Sequence, residues 1–199
     1  MDIECSGNYV YTKMIDLNLS QQKQNAYSMY NFIQSEFHNI DEQYKDIVAP
    51  NISKKFTEYN YLMYPYLGMH KLYAEIQDLF YSVNDSPFDE NYIRCWLNVY
   101  NKEEYIDWHS HWSKEYCSWH GFYCVDVEPD SYTLYRVNNK EIKVESKNNL
   151  LVISKSGEDV HRSSDWDQDY PRITIAFDIV PSVMLQQKHL LDINHWIPI

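Results

Sequence analysis

Apolar positions along the chain follow two periods. Ala26, Met29, Tyr30, Ile33 and Phe37 recur at the spacing of one helix face, which predicts an amphipathic helix over roughly 20–38, with the cap-type residues Asn18 and Ser20 ahead of it. A broader stripe of Met69, Leu72, Tyr73, Ile76, Leu79, Phe80 and Val83 predicts a second helix over roughly 67–83, stopped by Asn84-Asp85-Ser86-Pro87. Between them, residues 39–66 carry Pro, Asn and Asp and read as mainly loop with a short helical turn. From Tyr92 the period becomes two. Ile93, Cys95, Leu97 and Val99 alternate with Arg94, Trp96, Asn98 and Tyr100, as a strand with unlike faces requires. Further strands are expected in YIDWHSHW (105–112), HGFYCVDVEP (120–129), NLLVIS (149–154) and RITIAFDIVP (172–181). A hairpin is expected to turn at Asn138-Asn139. Tyr9–Leu17, rich in β-formers, is expected as an edge strand leading into the fold.

Helices first and closely spaced strands afterwards predict an α+β, mainly β chain: a β-sandwich or barrel supported from outside by N-terminal helices. No repeat, linker or composition shift divides the 199 residues, so one domain is expected, with 1–90 mainly helical, 91–181 the β core and 182–199 a tail. The tail is apolar enough to pack against the domain or a second copy of the chain, which is compatible with a homodimer.

Composition narrows the function. Four glycines leave no room for a Gly-rich phosphate loop, and a net charge of −12 without a basic block argues against nucleic acid as the main partner. Cys5, Cys95, Cys117 and Cys124 form no CxxC pair, so a thiolate zinc site has poor support and reduced thiols in a cytoplasmic compartment are expected. No apolar run reaches membrane-spanning length.

The candidate chemistry centres on His109-Ser110-His111. On an extended segment the two imidazoles project from one face about 7 Å apart at the backbone, close enough to share a metal ion; Asp107 would lie on that face as well. Taken alone, they are equally two polar residues on a solvated strand. His161 follows a strand and a Gly turn, and eleven residues later Arg172 opens the last strand. There Arg172, Thr174, Ala176 and Asp178 share one face, and a guanidinium beside a hydroxyl makes a clamp for a carboxylate.

The ordered set Trp96-Leu97-Asn98, His109-Ser110-His111, His120-Gly121-Phe122-Tyr123-Cys124, His161 and Arg172-Ile173-Thr174 resembles the iron(II)- and 2-oxoglutarate-dependent dioxygenases, most closely a subgroup common in phage and marine microbial genomes. It covers about residues 92–181. The resemblance implies a double-stranded β-helix (jelly roll) and an enzyme coupling oxidative decarboxylation of 2-oxoglutarate to hydroxylation, with Fe(II), 2-oxoglutarate and O₂ as cofactor and cosubstrates. It implies His109 and His161 as iron ligands, Arg172 and Thr174 as the clamp on the cosubstrate's distal carboxylate, and Tyr123 and Asn98 as further cosubstrate contacts. The family's third ligand is a carboxylate, and His111 stands in its position. Either His111 completes a three-histidine face, which is the expectation taken here, or Asp107 or another carboxylate swings in. His120 replaces the family's Ser and is either a pocket residue or simply a strand-start histidine. The remaining lone histidines, His38, His70, His189 and His195, read as surface or packed residues.

Two other classes remain open at this point. A cupin-type three-histidine metalloenzyme would not use 2-oxoglutarate, and would have no need of the Arg172 clamp. A non-catalytic jelly-roll binding or structural protein would hold no metal. The substrate is expected to be a small molecule or a side chain, and its identity is not encoded in any motif.

Overall fold

The structure, a computed structural model, describes residues 4–5, 9–36, 54–86, 90–128, 130–187 and 195–199. Two antiparallel sheets face one another. The larger contains β1 (Glu4–Cys5), β2 (Val10–Met14), β3 (Asn91–Tyr100), β4 (Trp119–Asp126), β7 (Leu150–Lys155), β9 (Arg172–Pro181) and β10 (Ile197–Pro198), in the order β1-β2-β7-β4-β9-β3-β10. The smaller contains β5 (Tyr132–Val137), β6 (Lys140–Glu145) and β8 (Asp159–Ser163), in the order β6-β5-β8. The fold is the expected jelly roll, α+β and mainly β.

Period-two alternation decides what each face of the large sheet meets. Ile93, Cys95, Leu97, Ile173, Ile175, Phe177 and Ile179 point outward, where Ala26, Met29 and Ile33 of α1 (Leu19–Glu36) and Leu72, Ile76, Leu79 and Phe80 of α2 (Met69–Val83) cover them. Phe122, Cys124, Val152 and Ala176 point inward, against Tyr135, Val137 and Val144 of the small sheet. Helix α1 begins as its sequence dictates, the Asn18 side chain accepting a hydrogen bond from the amide of Gln21 at 3.1 Å. Its predicted last positions, Phe37 and His38, and residues 39–53 of the predicted loop lie outside the described residues; Lys54–Glu58 and Tyr61–Met63 form short 3₁₀ turns. The hairpin turns where expected, with Asn138 and Asn139 at φ 49° and 62°.

Three expectations need revision or completion. The strand in Tyr9–Leu17 is β2, and it lies inside the sheet between β1 and β7 rather than at the edge. The tail packs on its own chain: after α3 (Ser182–Gln187), β10 pairs with β3, and Tyr73 and Tyr81 donate to the carbonyls of Pro198 and Ile199. Residues 105–112 form no continuous strand. Their only β pairing is one antiparallel bridge between His109 and His161, closed by two backbone hydrogen bonds of 3.0 and 2.9 Å. Regular pairing from that bridge would bring Ser163 opposite Asp107. Instead the Ser163 amide bonds to the Ile106 carbonyl at 3.0 Å, while its hydroxyl accepts from the Ile106 amide at 2.8 Å. The extra residue is a bulge, which bends the segment away from the ladder and re-aims the side chains beyond it.

Gly121 on β4 is required by space. A Cβ there would lie 2.1 Å from the Val152 carbonyl and 2.5 Å from the Phe177 ring. Gly121→Ala is expected to destabilise the fold by at least about 1–3 kcal/mol, read as a lower midpoint in thermal or urea denaturation.

Candidate metal centre and anion pocket

The inward face of the large sheet is ordered in rows set by strand register. Arg94, Asp178, His120 and Ser154 form one row across β3, β9, β4 and β7, and Trp96, Ala176, Phe122 and Val152 form the next. Then come Asn98, Thr174 and Cys124, and finally Tyr100 beside Arg172. Above these rows β8 directs Asp159, His161 and Ser163 inward. A cavity of about 180 Å³ lies between the sheets, lined among others by Asn98, His109, His111, His120, His161, Arg172 and Thr174. At one end it is rich in histidine and at the other it is closed by arginine.

Four imidazoles crowd the first end. The ring of His161 lies 4.2 Å from that of His109, 5.3 Å from His111 and 4.6 Å from His120, centre to centre. Each ring is held differently. His109 Nδ1 faces the Asp107 carbonyl at 2.8 Å, so that nitrogen carries the proton and Nε2 keeps its lone pair. His111 Nδ1 lies 2.6 Å from Asp178 Oδ1, whose other oxygen accepts from the Trp112 indole at 3.0 Å. His120 Nε2 lies 3.1 Å from both oxygens of Asp159, and Ser154 donates to Oδ2 of that carboxylate at 2.8 Å. His161 Nδ1 is buried without a hydrogen-bond partner. Among the described residues, two overlapping groups have donor atoms close enough to hold a metal ion: His109, His111 and His161, and the His/His/Asp group His120, Asp159 and His161.

Burial governs the protonation of these groups. It pushes His161 far below the usual histidine range, helped by the charges of His120, His109 and His111, and it pulls His109 down to about 4. His111 is also depressed by burial, but the Asp178 carboxylate outweighs this and leaves it raised. Burial alone would raise Asp159 and Asp178; His120 and His111 respectively overcome it and hold both carboxylates low. His109 and His161 are therefore neutral near pH 7, the form in which imidazole binds a cation.

The unfolded chain takes up protons on these two residues near pH 6.5, whereas the folded chain resists until far lower pH. Stability is therefore lost as pH falls from about 6.5 toward 4, by at most about 1.4 kcal/mol per pH unit for each histidine and less for the partly exposed His109. His111 adds no slope in that window, being protonated in both states. Denaturation of the metal-stripped protein across this range is expected to show the loss, and a saturating divalent cation is expected to oppose it at the upper end of the range.

The other end suits an anion. Arg172 is 2% exposed, its Nη2 donates to Ser146 at 3.3 Å and its guanidinium lies 5.1 Å from the Tyr100 ring. Its Nε has no partner, and among the described residues no carboxylate pairs with it. A buried guanidinium without a counter-charge is costly, and a bound carboxylate would satisfy it.

Of the residues singled out in the sequence, His109, His111, His161, Arg172, Thr174 and Asn98 all meet at this cavity. Tyr123 does not. It follows Phe122 on β4, so parity turns it to the helix-covered face, where it is fully buried and donates to Asn149. Asp107 is exposed, and its carboxylate accepts from the Trp108 amide at 2.7 Å rather than joining the histidines. His120 proves to be a pocket residue. Asp159 was missed, although it stands two residues before His161, and Asp178 was placed on the face of Arg172 without its role beside His111.

Fold and site together define a jelly-roll protein with a histidine-lined, metal-competent pocket facing a buried arginine. No protein-family model and no curated protein sequence matches the chain. Solved structures do match in fold. A prolyl hydroxylase from Trichoplax adhaerens, in complex with a hypoxia inducible factor oxygen degradation domain peptide, superposes with TM-score 0.63 at 10% identity, over 89% of this chain and 86% of the other. AviO1 from Streptomyces viridochromogenes Tue57 gives 0.59 at 12% identity, over 87% and 90% of the two chains. A Pseudomonas putida prolyl-4-hydroxylase gives 0.56 at 10% identity, over 88% of each. At these identities the likeness is one of fold.

Proposed function

We propose that the chain is a non-haem iron oxygenase that couples oxidative decarboxylation of 2-oxoglutarate to hydroxylation of a small-molecule or side-chain substrate. One observation carries this reading: three histidines whose donor atoms converge on one end of a cavity whose other end is a buried, uncompensated Arg172. His109, His111 and His161 would hold Fe(II), which with 2-oxoglutarate and O₂ supplies the oxidising power. Asp107 and Asp178 fix the Nδ1 side of His109 and His111 and so leave Nε2 for the metal. Arg172 and Thr174 would receive the distal carboxylate, with Asn98 opposite Thr174 as a further polar contact. Trp96, Ile106, Phe122 and Ala176 give the cavity apolar walls that limit water near an oxidant. The hydroxylases among the structures of like fold support the reading.

The all-histidine ligand set also favours a second reading, a cupin-type metalloenzyme without 2-oxoglutarate; in that case Arg172 has no anion to bind. The test is aerobic incubation with Fe(II) and 2-oxoglutarate. Slow succinate release without any added substrate is expected, and its absence from iron-loaded protein, with and without a panel of candidate substrates, would count against the first reading.

A further inference from the structure

We propose that the chain holds a second divalent cation, bound by His120, Asp159 and the Nδ1 of His161, directly behind the pocket ion and sharing His161 with it. Its description as second rests on the reading of His109, His111 and His161 as the pocket site.

The inner group is closed where the outer one is open. The side chains of His120, Asp159 and His161 are 2%, 0% and 9% exposed. His109 and His111 are less deeply buried and line the cavity beside the exposed Ser110. Closed sets of protein donors belong to structural or electrostatic cations, and sets with an open side to catalytic ones. Spacing agrees. His120 Nε2 lies 3.1 Å from Asp159 Oδ1, and His161 Nδ1 lies 3.7 Å from Oδ2. Neighbouring donors on one cation with bonds of about 2.0–2.2 Å sit about 2.8–3.6 Å apart, so His120 and Asp159 are already spaced for one ion, and His161, whose donor lies within 4.8 Å of both, closes on it as the ion binds.

An ion pair between His120 and Asp159 accounts for two of these residues and leaves the third unexplained. His161 Nδ1 would remain a buried polar atom with no partner, 3.7 Å from a carboxylate already held by His120 and Ser154. A cation satisfies all three at once; because the pocket ion takes Nε2 of His161, the ring bridges the two ions as imidazolate and releases its one N–H proton to solvent when the second ion binds. Two nitrogens and one oxygen favour a borderline divalent ion such as Zn²⁺, Co²⁺ or Fe²⁺ over Ca²⁺ or Mg²⁺. His120 lines the cavity and gives the ion its way in.

The test is the metal content of chelator-stripped protein titrated with Zn²⁺ alone. Wild type is expected to saturate at two equivalents, and Asp159→Asn, His120→Ala and His111→Ala at one each. Saturation of wild type at one equivalent overturns the proposal. If that single ion is lost in His111→Ala and kept in Asp159→Asn, the pocket site stands without the inner one; the opposite pattern removes the pocket reading too. Zinc-edge anomalous scattering from wild-type crystals gives the same count without relying on a variant that folds: two peaks flanking His161 are expected, and a single peak overturns the proposal.

Discussion

Replacing His161 with alanine is expected to weaken divalent metal binding by more than about 100-fold and to reduce succinate release to background. Even the hydrogen-bond partners of a metal-bound histidine typically contribute 10–100-fold to affinity, and His161 belongs to both donor groups in the pocket. The backbone should tolerate the change, because the bridge between His109 and His161 is made by main-chain groups. Loss of the imidazole also removes a group that burial holds neutral, so the metal-free variant should lose less stability than wild type between pH 6.5 and 4. Metal titration and denaturation at two pH values check both halves. Iron bound with wild-type affinity would mean that His161 is a packing residue.

Arg172→Ala is expected to separate metal from cosubstrate. Iron should remain bound, since Arg172 lines the cavity but belongs to neither group of metal donors, and it stands six residues from Asp178 along β9. The 2-oxoglutarate concentration needed for half-maximal turnover should rise at least about 30-fold, the equivalent of about 2 kcal/mol, because removal of one partner of a buried charged pair typically costs about 2–5 kcal/mol. Part of that loss is offset in the free protein, where the variant no longer buries a guanidinium without a counter-charge. Unchanged 2-oxoglutarate dependence would assign Arg172 to structure.

The pocket was legible in the sequence wherever strand parity alone placed a side chain. Arg172, Thr174 and Asp178 fall on one face of β9 and the Ile–Phe series on the other, and the structure keeps that division to the last residue. Asn98 opposite Thr174 follows from the same alternation on β3. Parity also explains Tyr123: a strand beginning at Trp119 puts His120 and Phe122 toward the cavity and Tyr123 behind it. The His109 segment was less legible, because its conformation depends on which donor Ser163 offers and on a bulge, and neither has a local signature. Asp159 was invisible for a different reason. Its partners His120 and Ser154 lie on separate strands, 39 and 5 residues away in the chain, so the contact exists only once the sheets close.

The most direct measurement is an anaerobic titration of the Fe(II)-loaded protein with 2-oxoglutarate, followed by visible absorption. A weak charge-transfer band that grows with 2-oxoglutarate and saturates is predicted, since under the proposed function 2-oxoglutarate would chelate iron held by His109, His111 and His161. Tightly bound iron with no such band at any concentration of 2-oxoglutarate would contradict the proposed function.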